Sequence, residues 1–427
     1  MAHHQLHEWE ARRFDAPDAI PEGEAERLVR AARAPAARLK GNQNAFEFRR
    51  DALRAQNLVG VVAAPGVTCE ILPKVDRDAP GDASGLRRWL IRMLAVAHDL
   101  PVADDAATAL GVQNETLLEI LIGRFARELN ESVRRGMPRA YLPHADDLPA
   151  LRGRLDVTRQ FTTLAASPQR LACRYDEFSR DVPINQVMLA AVTRLHRLAR
   201  TSANQRALAE LRLLYDEVTA VPLSRLRWDA IIPDRANARW RHPLRLARLI
   251  LGDRFQNSAH GDADGFALLF DMNALFERDA EKLLGGLAPE FGWRLEAQGG
   301  RLPCLWPEEG GAGLFETAPD IRLIGADGVA MVIDAKWKRL SPPTAADRKL
   351  GVAQADLYQL MAYAQLYRCD QIALLYPHHA GLPTGLLARH RVARPDGPVR
   401  LTVATVDLAN HDTARASLRA LLGDVER

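Results

Sequence analysis

Lysine is nearly missing from this 427-residue chain: six of its 57 basic residues are lysines, Lys40, Lys74, Lys282, Lys336, Lys338 and Lys349. Such an arginine bias fits GC-rich coding, and a lysine kept against it is informative where only a compact ammonium fits. Cysteine is also scarce. Cys69, Cys173, Cys304 and Cys369 lie far apart with no C-x-x-C spacing, which signals neither a zinc site nor a disulfide framework and fits a reducing cytoplasm. The opening MAHHQLHEWEARRF has no apolar signal core, and runs such as WLIRMLAVAHDL are broken by charge short of a membrane span. A cytoplasmic, non-membrane location is therefore expected. No G-x-x-x-x-G-K-[ST] loop occurs anywhere, so the chain is not expected to hydrolyse nucleotide unaided. A formal charge of +3 is too small to argue for nucleic acid by itself; any basic surface must be local.

What is present is ordinary globular composition, 47% hydrophobic and 26% charged, at a length that accommodates roughly two to four domains. The reading is a multi-domain α+β protein. Residues 1–83 form a small β-rich module, with one helix (PEGEAERLVRAARAPAARL) and strand-like AFEFRR, LVGVVAA and VTCEILPKV, the last two parted by Pro65-Gly66. Residues 84–255 are mainly helical, with apolar residues three and four apart in five segments and a stop at Gly136 and Pro138. The short LRGRLDVTRQF between these helices reads as a strand or hairpin piece. The polar, Gly-rich GDRFQNSAHGDADG is a boundary, and residues 265–427 alternate helix and strand as an α/β domain.

Chemistry concentrates in APDIRLIGADGVAMVIDAKWKRL, residues 318–340. Asp327-Gly328 is a tight-turn signal between two apolar strands. Folding about Asp327 places Asp320 opposite Asp334, within the roughly 4.5 to 5.5 Å of directly paired residues. Alternation sets Met331, Ile333, Ala335 and Trp337 on one face and Val332, Asp334, Lys336 and Lys338 on the other. A D-x-K triplet alone reads as a surface ion network. Joined to Pro-Asp at hairpin distance, it makes two converging carboxylates beside an ammonium, which suits Mg²⁺ and phosphodiester hydrolysis.

In the following QADLYQLMAYAQLYR, helical spacing gives an apolar stripe of Leu357, Leu360, Met361 and Ala364, with Gln359 and Tyr363 together on a face turned away from it. That pair is either a solvated polar face or a border of the metal site touching DNA backbone. Glu277, in NALFERDAEKLL, is either a solvated Glu or a further metal-associated carboxylate. His378 and His379 read as loop residues.

The order Pro-Asp, Asp-x-Lys, Gln-x-x-x-Tyr resembles the PD-(D/E)XK nuclease superfamily, in its branch with a RecB-like Gln-x-x-x-Tyr helix. Together with EILPKV, CRYDEFSRDVPINQVMLAAVTRL, MNALFE and DLYQLMAYA, it is similar to the McrC family, nuclease subunits of McrBC-type modification-dependent (type IV) restriction systems. The resemblance implies a Mg²⁺-dependent (Mn²⁺ also admitted) DNA endonuclease with a C-terminal PD-(D/E)XK domain. It implies Asp320, Asp334 and Lys336 as catalytic residues, Gln359 and Tyr363 in support, and Asp320, Asp334 and Glu277 around the metal. It implies a McrB-like AAA+ GTPase hexamer as partner, met through the N-terminal module, GTP bound only by that partner, and double-stranded DNA carrying modified cytosine. The motif's third residue here is Asp rather than Glu, which the superfamily tolerates. Two other readings share these residues: a RecB-like nuclease with a different or no partner, and a non-catalytic adaptor that activates the motor.

Overall fold

The computed structural model describes residues 2–37, 39, 43–74, 83–100, 115–231, 238–251, 265–342, 349–393, 397–408 and 411–423. The proposed boundary segment thus lies outside the described residues except for Gly265. The architecture is mixed α/β, in two compact units. One joins residues 1–117 to 262–427; the other is 118–261.

In the first unit, strands β1 (Ala2–His7), β5 (Leu58–Ala64) and β6 (Val67–Leu72) form a sheet with β10 (Phe266–Asp271), in the order β1-β6-β5-β10. The β5–β6 hairpin turns at Pro65-Gly66, where Gly66 takes φ +83°. Strand β10 runs antiparallel to β5 and comes so close at Gly60 that a Cβ there would stand 2.0 Å from the Leu268 carbonyl oxygen. Only glycine fits such an approach. Helix α1 (Glu22–Ala37) covers this sheet with Ala25, Leu28, Ala32 and Ala36, the three-and-four spacing of a buried stripe. A small sheet of β2 (Ala11–Arg13), β4 (Ala52–Ala55) and β3 (Phe46–Phe48) lies in the same unit. So the first strand after the boundary segment completes the N-terminal sheet, and the parts read as 1–83 and 265–427 share one compact unit.

The same unit contains a six-stranded sheet, β11 (Arg294–Ala297), β14 (Ile321–Gly325), β15 (Gly328–Ala335), β16 (Gln371–Pro377), β18 (Val399–Val406) and β17 (Gly385–Val392), in that spatial order. Strands β15, β16 and β18 run parallel, and their near-continuous Val, Ile and Leu runs are those of strands buried on both faces. One face packs on α9 (Gln354–Leu366) through Val332, Leu374, Leu360 and Tyr363. Helix α2 (Ala83–Ala97) packs on α8 (Met272–Leu287), and α10 (His411–Gly423) also rests on α8. The hairpin β12 (Leu302–Leu305) and β13 (Leu314–Thr317) precedes β14.

The second unit is built on α3 (Leu117–Arg134), α5 (Pro183–Leu198), α6 (Ser202–Leu214) and α7 (Arg241–Leu251), with a short α4 (Val157–Phe161). It also carries the sheet β7 (Ala140–Leu148), β9 (Leu171–Ser179), β8 (Arg154–Leu155). The LRGRLDVTRQF piece is split: two residues are strand and the rest mainly α4. Tyr141 and Phe178 pair in the open at 70% and 52% exposure. Among the described residues no helix is long and apolar enough to cross a membrane.

Candidate active site

The β14–β15 hairpin brings Asp320 and Asp334 together by an indirect route. Its tip pairs Gly325 with Gly328, a register that, continued unbroken, would set Asp334 opposite Pro319. A bulge between Leu323 and Ile324 takes up one residue, and from Leu323↔Met331 to Ile321↔Ile333 the register puts Asp320 across from Asp334. A one-residue slip would turn every later side chain to the other face. The bulge therefore decides which carboxylates meet.

Asp320 Oδ2 accepts the backbone N–H of Ala335 at 2.9 Å, which ties the first carboxylate to the strand of the second. Asp334 is 1% exposed. Lys336 Nζ stands 2.6 Å from its Oδ2 and pairs with it. The Lys336 backbone extends the ladder past the strand's end by donating to Leu375 at 2.8 Å.

Electrostatics follow from this crowding. Burial pushes the Asp334 carboxyl well above its ordinary value and the Asp320 charge adds to it, with Lys336 pulling the other way. Burial also raises Asp320, followed by repulsion from Glu277, against the Ala335 N–H and Lys336. At Lys336 burial disfavours the ammonium, but Asp334 outweighs it and the net shift is upward. Two buried like charges and one cation leave the site short of positive charge.

A hard divalent cation fits that deficit. Both Asp334 oxygens are buried, with the Lys336 ammonium set against Oδ2, and an oxygen ligand set is what Mg²⁺ takes. Among the described residues no three His, Cys, Asp or Glu side chains converge on one point. Protein ligation would thus rest on Asp320 and Asp334 with waters filling the shell, the habit of Mg²⁺ rather than of zinc or calcium. Glu277, on α8, is near enough to load Asp320 electrostatically and accepts Gln298 Nε2 at 3.3 Å. It stands beside the pair of aspartates.

Helix α9 differs from the sequence expectation. Gln359 is exposed, but Tyr363 is 4% exposed and packs in the core with Leu360, while Met361, assigned to the apolar stripe, is 37% exposed. Apolar residues lie all round this helix, so periodicity does not single out its buried side; the sheet does. Gln359 Nε2 still donates to the Tyr363 hydroxyl at 2.7 Å, and that hydroxyl donates to the Ala318 carbonyl at 3.4 Å, just ahead of Asp320. The pair reaches the site from inside. Tyr363→Phe is therefore expected to cost about 1 kcal/mol of stability from lost hydrogen bonds. Leu360→Ala should cost about 2 to 5 kcal/mol by opening a cavity. Chemical denaturation of both variants measures the contrast; a Tyr363→Phe loss equal to that of Leu360→Ala would mean the ring itself has moved.

The face of β15 bearing Asp334 is also no solvent face, since Val332 beside it is fully buried against α9. Two further residues belong to the neighbourhood. Asp356, 7% exposed, takes Lys338 Nζ on both oxygens at 2.9 and 2.7 Å, and its charge helps raise Asp334. Tyr376 is fully buried with its hydroxyl unpartnered. Burial raises its pKa, as do the charges of Asp356 and Asp334. Asp356 could have been found from sequence, because it shares the i, i+3, i+7 face of Gln359 and Tyr363. Tyr376 sits in an apolar strand run with no such signal.

Against known proteins, the family model described as "McrBC 5-methylcytosine restriction system component" matches residues 53–377. This chain belongs to that McrBC family. Among solved structures the fold resembles a chain of a refined half-complex from the tetradecameric assembly of Thermococcus gammatolerans McrB AAA+ hexamers with bound McrC. The TM-score is 0.76 at 22% identity, over 98% of this chain and 100% of that one. A cryo-EM structure of the Thermococcus gammatolerans McrBC complex gives a TM-score of 0.54 at 25% identity, over 66% and 87% of the two chains. No curated protein matches. The family match spans the β5–β6 hairpin, all of the second unit, and Asp320, Asp334, Lys336, Gln359 and Tyr363. In this McrBC family member the sequence motif and the three-dimensional cluster therefore coincide.

Proposed function

We propose that this McrBC family member is the DNA-cleaving subunit of a type IV restriction system, a Mg²⁺-dependent endonuclease with a PD-(D/E)XK domain, working in the cytoplasm with a McrB-like AAA+ GTPase hexamer. The observation that carries the reading is the meeting of Asp320, Asp334 and Lys336 at a buried, cation-deficient point. When bound, Mg²⁺ would polarise the phosphodiester and lower the pKa of bound water. The chain's residues prepare that event. Asp320 and Asp334 hold the cation. Asp320 is itself held by the Ala335 N–H. Lys336, kept charged by Asp334, offers an ammonium to orient the attacking water or to neutralise charge developing on phosphate. Gln359, exposed but tethered to Tyr363, is available to donate to DNA backbone.

The test is plasmid cleavage with and without the candidate motor, GTP and Mg²⁺, on cytosine-modified and unmodified DNA. Cleavage that needs all three and the modification supports the reading; a motor-stimulating chain that never cuts would make it an adaptor. With no phosphate loop of its own, the purified chain should hydrolyse no GTP yet raise the motor's GTPase rate. The Asp334→Asn variant should still do so, because that aspartate lies inside the nuclease hairpin. Steady-state phosphate release reads both. GTP hydrolysis by the lone chain would overturn this division of labour.

A further inference from the structure

Lys336 lies one residue beyond the end of β15, where its N–H makes a last ladder bond to the Leu375 carbonyl at 2.8 Å. The next residue, Trp337, turns the other way and is clamped. Its ring stacks on Trp89 of α2 at 5.3 Å and tilts against Phe276 of α8 at 5.7 Å. Its indole N–H donates to Glu8 Oε2 at 2.9 Å. Glu8 comes from the other end of the sequence, directly after β1. It is 1% exposed, and its backbone N–H bonds Leu72 at the end of β6. The same Oε2 accepts the Lys74 N–H at 3.1 Å, while Oε1 has no partner. Two ends of the N-terminal sheet thus converge on the residue after Lys336.

Packing alone does not explain this arrangement. The indole is already held by two aromatic rings, and burying a carboxylate with one oxygen unsatisfied costs stability that an apolar residue would not cost. What the carboxylate adds is direction: it fixes the rotation of Trp337 about the chain, and with it the peptide linking Trp337 to Lys336. Displacement of a reacting group by about 1 Å can cost a hundredfold in rate. We propose that Glu8 and Trp337 are positioning residues, through which the N-terminal sheet sets the aim of Lys336. This rests on the nuclease reading of Lys336.

The experiment compares Trp337→Phe, which keeps an aromatic ring but loses the N–H and part of the indole's volume, with Glu8→Leu and Glu8→Gln in the assembled complex with motor, GTP, Mg²⁺ and modified plasmid. Cleavage is separated into kcat and KM for DNA, and amide exchange at Lys336 and Lys338 is followed in the same variants. Trp337→Phe and Glu8→Leu should lower kcat by about tenfold or more, following the geometric sensitivity above, with KM unchanged and faster exchange at both amides. Glu8→Gln, which retains an oxygen for the indole N–H, should restore both. Wild-type kcat per folded molecule in Trp337→Phe, or a Glu8→Gln as impaired as Glu8→Leu, overturns the proposal. If Glu8→Leu fails to fold, Trp337→Phe decides. If the wild-type protein itself does not cleave, the nuclease reading has failed, and exchange at Lys336 alone decides whether the clamp orders that residue.

Discussion

Asp334→Asn should abolish cleavage, by more than about a thousandfold, because charge stabilisation by a bound cation is worth several kcal/mol and each factor of ten in rate about 1.4 kcal/mol. Asn has nearly the same shape, so no cavity opens in a side chain that is 1% exposed. The variant should also reveal what the site costs the empty protein. Burial and the facing Asp320 raise the Asp334 carboxyl above its ordinary value of 3.8, so above that pH the folded chain holds more protons than the unfolded one. Stability from this group is complete below pH 3.8 and is lost as pH rises through the folded-state value. Asp320, also raised, acts in the same direction. Without metal the wild type should therefore lose stability between pH 4 and pH 8, a window set by those raised values. Asp334→Asn should lose less over that range, and Mg²⁺ should stabilise only the wild type. Cleavage rates, with thermal midpoints at two pH values in chelator and in Mg²⁺, decide the matter. Wild-type cleavage by the variant, or a Mg²⁺-induced rise in midpoint equal in both proteins, would remove Asp334 from the metal site.

The hairpin was legible because two independent periodicities agreed in it. Folding about Asp327 set Asp320 opposite Asp334, alternation along β15 put Lys336 beside Asp334, and the observed register sets the two aspartates across from each other. The route was hidden, since the chain turns at Ala326-Asp327 rather than at Asp327-Gly328, a register one residue out that the bulge restores; nothing in IRLIG or GVAMVI announces that bulge. Tyr363 was misplaced for a different reason. A helix with apolar residues on every side has no readable stripe, and the sheet beneath α9 selected Tyr363 over Met361. Strand β1 was missed because Ala2–His7 buries only Leu6 completely and gains its place by pairing with β6. Strands β7 and β9 were missed because they leave most side chains partly or fully exposed, so no apolar-polar alternation marks them. Glu8 could not be found at all. Its partner Trp337 lies 329 positions away, and no local pattern encodes a contact of that span.

Lys336→Arg should impair cleavage nearly as much as loss of the charge, although the charge is kept. Lys336 Nζ lies 2.6 Å from a carboxylate oxygen that is itself buried, and the lysine side chain is 20% exposed. Several carboxylates converge on it: Asp320 faces Asp334 across the hairpin, and the charges of Asp334, Asp320 and Asp356 all act on this one ammonium. A guanidinium is planar and wider, prefers to bind carboxylate with two nitrogens at once, and cannot present one compact donor. A two-pronged grip on Asp334 would occupy both of its oxygens, where Lys336 now meets only Oδ2, and those are the oxygens a metal ion needs. The variant should therefore need more Mg²⁺ as well as cleave more slowly, by roughly a hundredfold at saturating metal, which corresponds to about 2.7 kcal/mol. Lys336→Ala should differ in kind, with a similar loss of rate but an unchanged Mg²⁺ midpoint, because it leaves the aspartates open. Cleavage rates titrated against Mg²⁺ for the two variants separate these effects. Should Lys336→Arg cleave at near wild-type rate with the wild-type Mg²⁺ midpoint, the position supplies only general positive potential, and its being lysine in so lysine-poor a chain has no catalytic meaning.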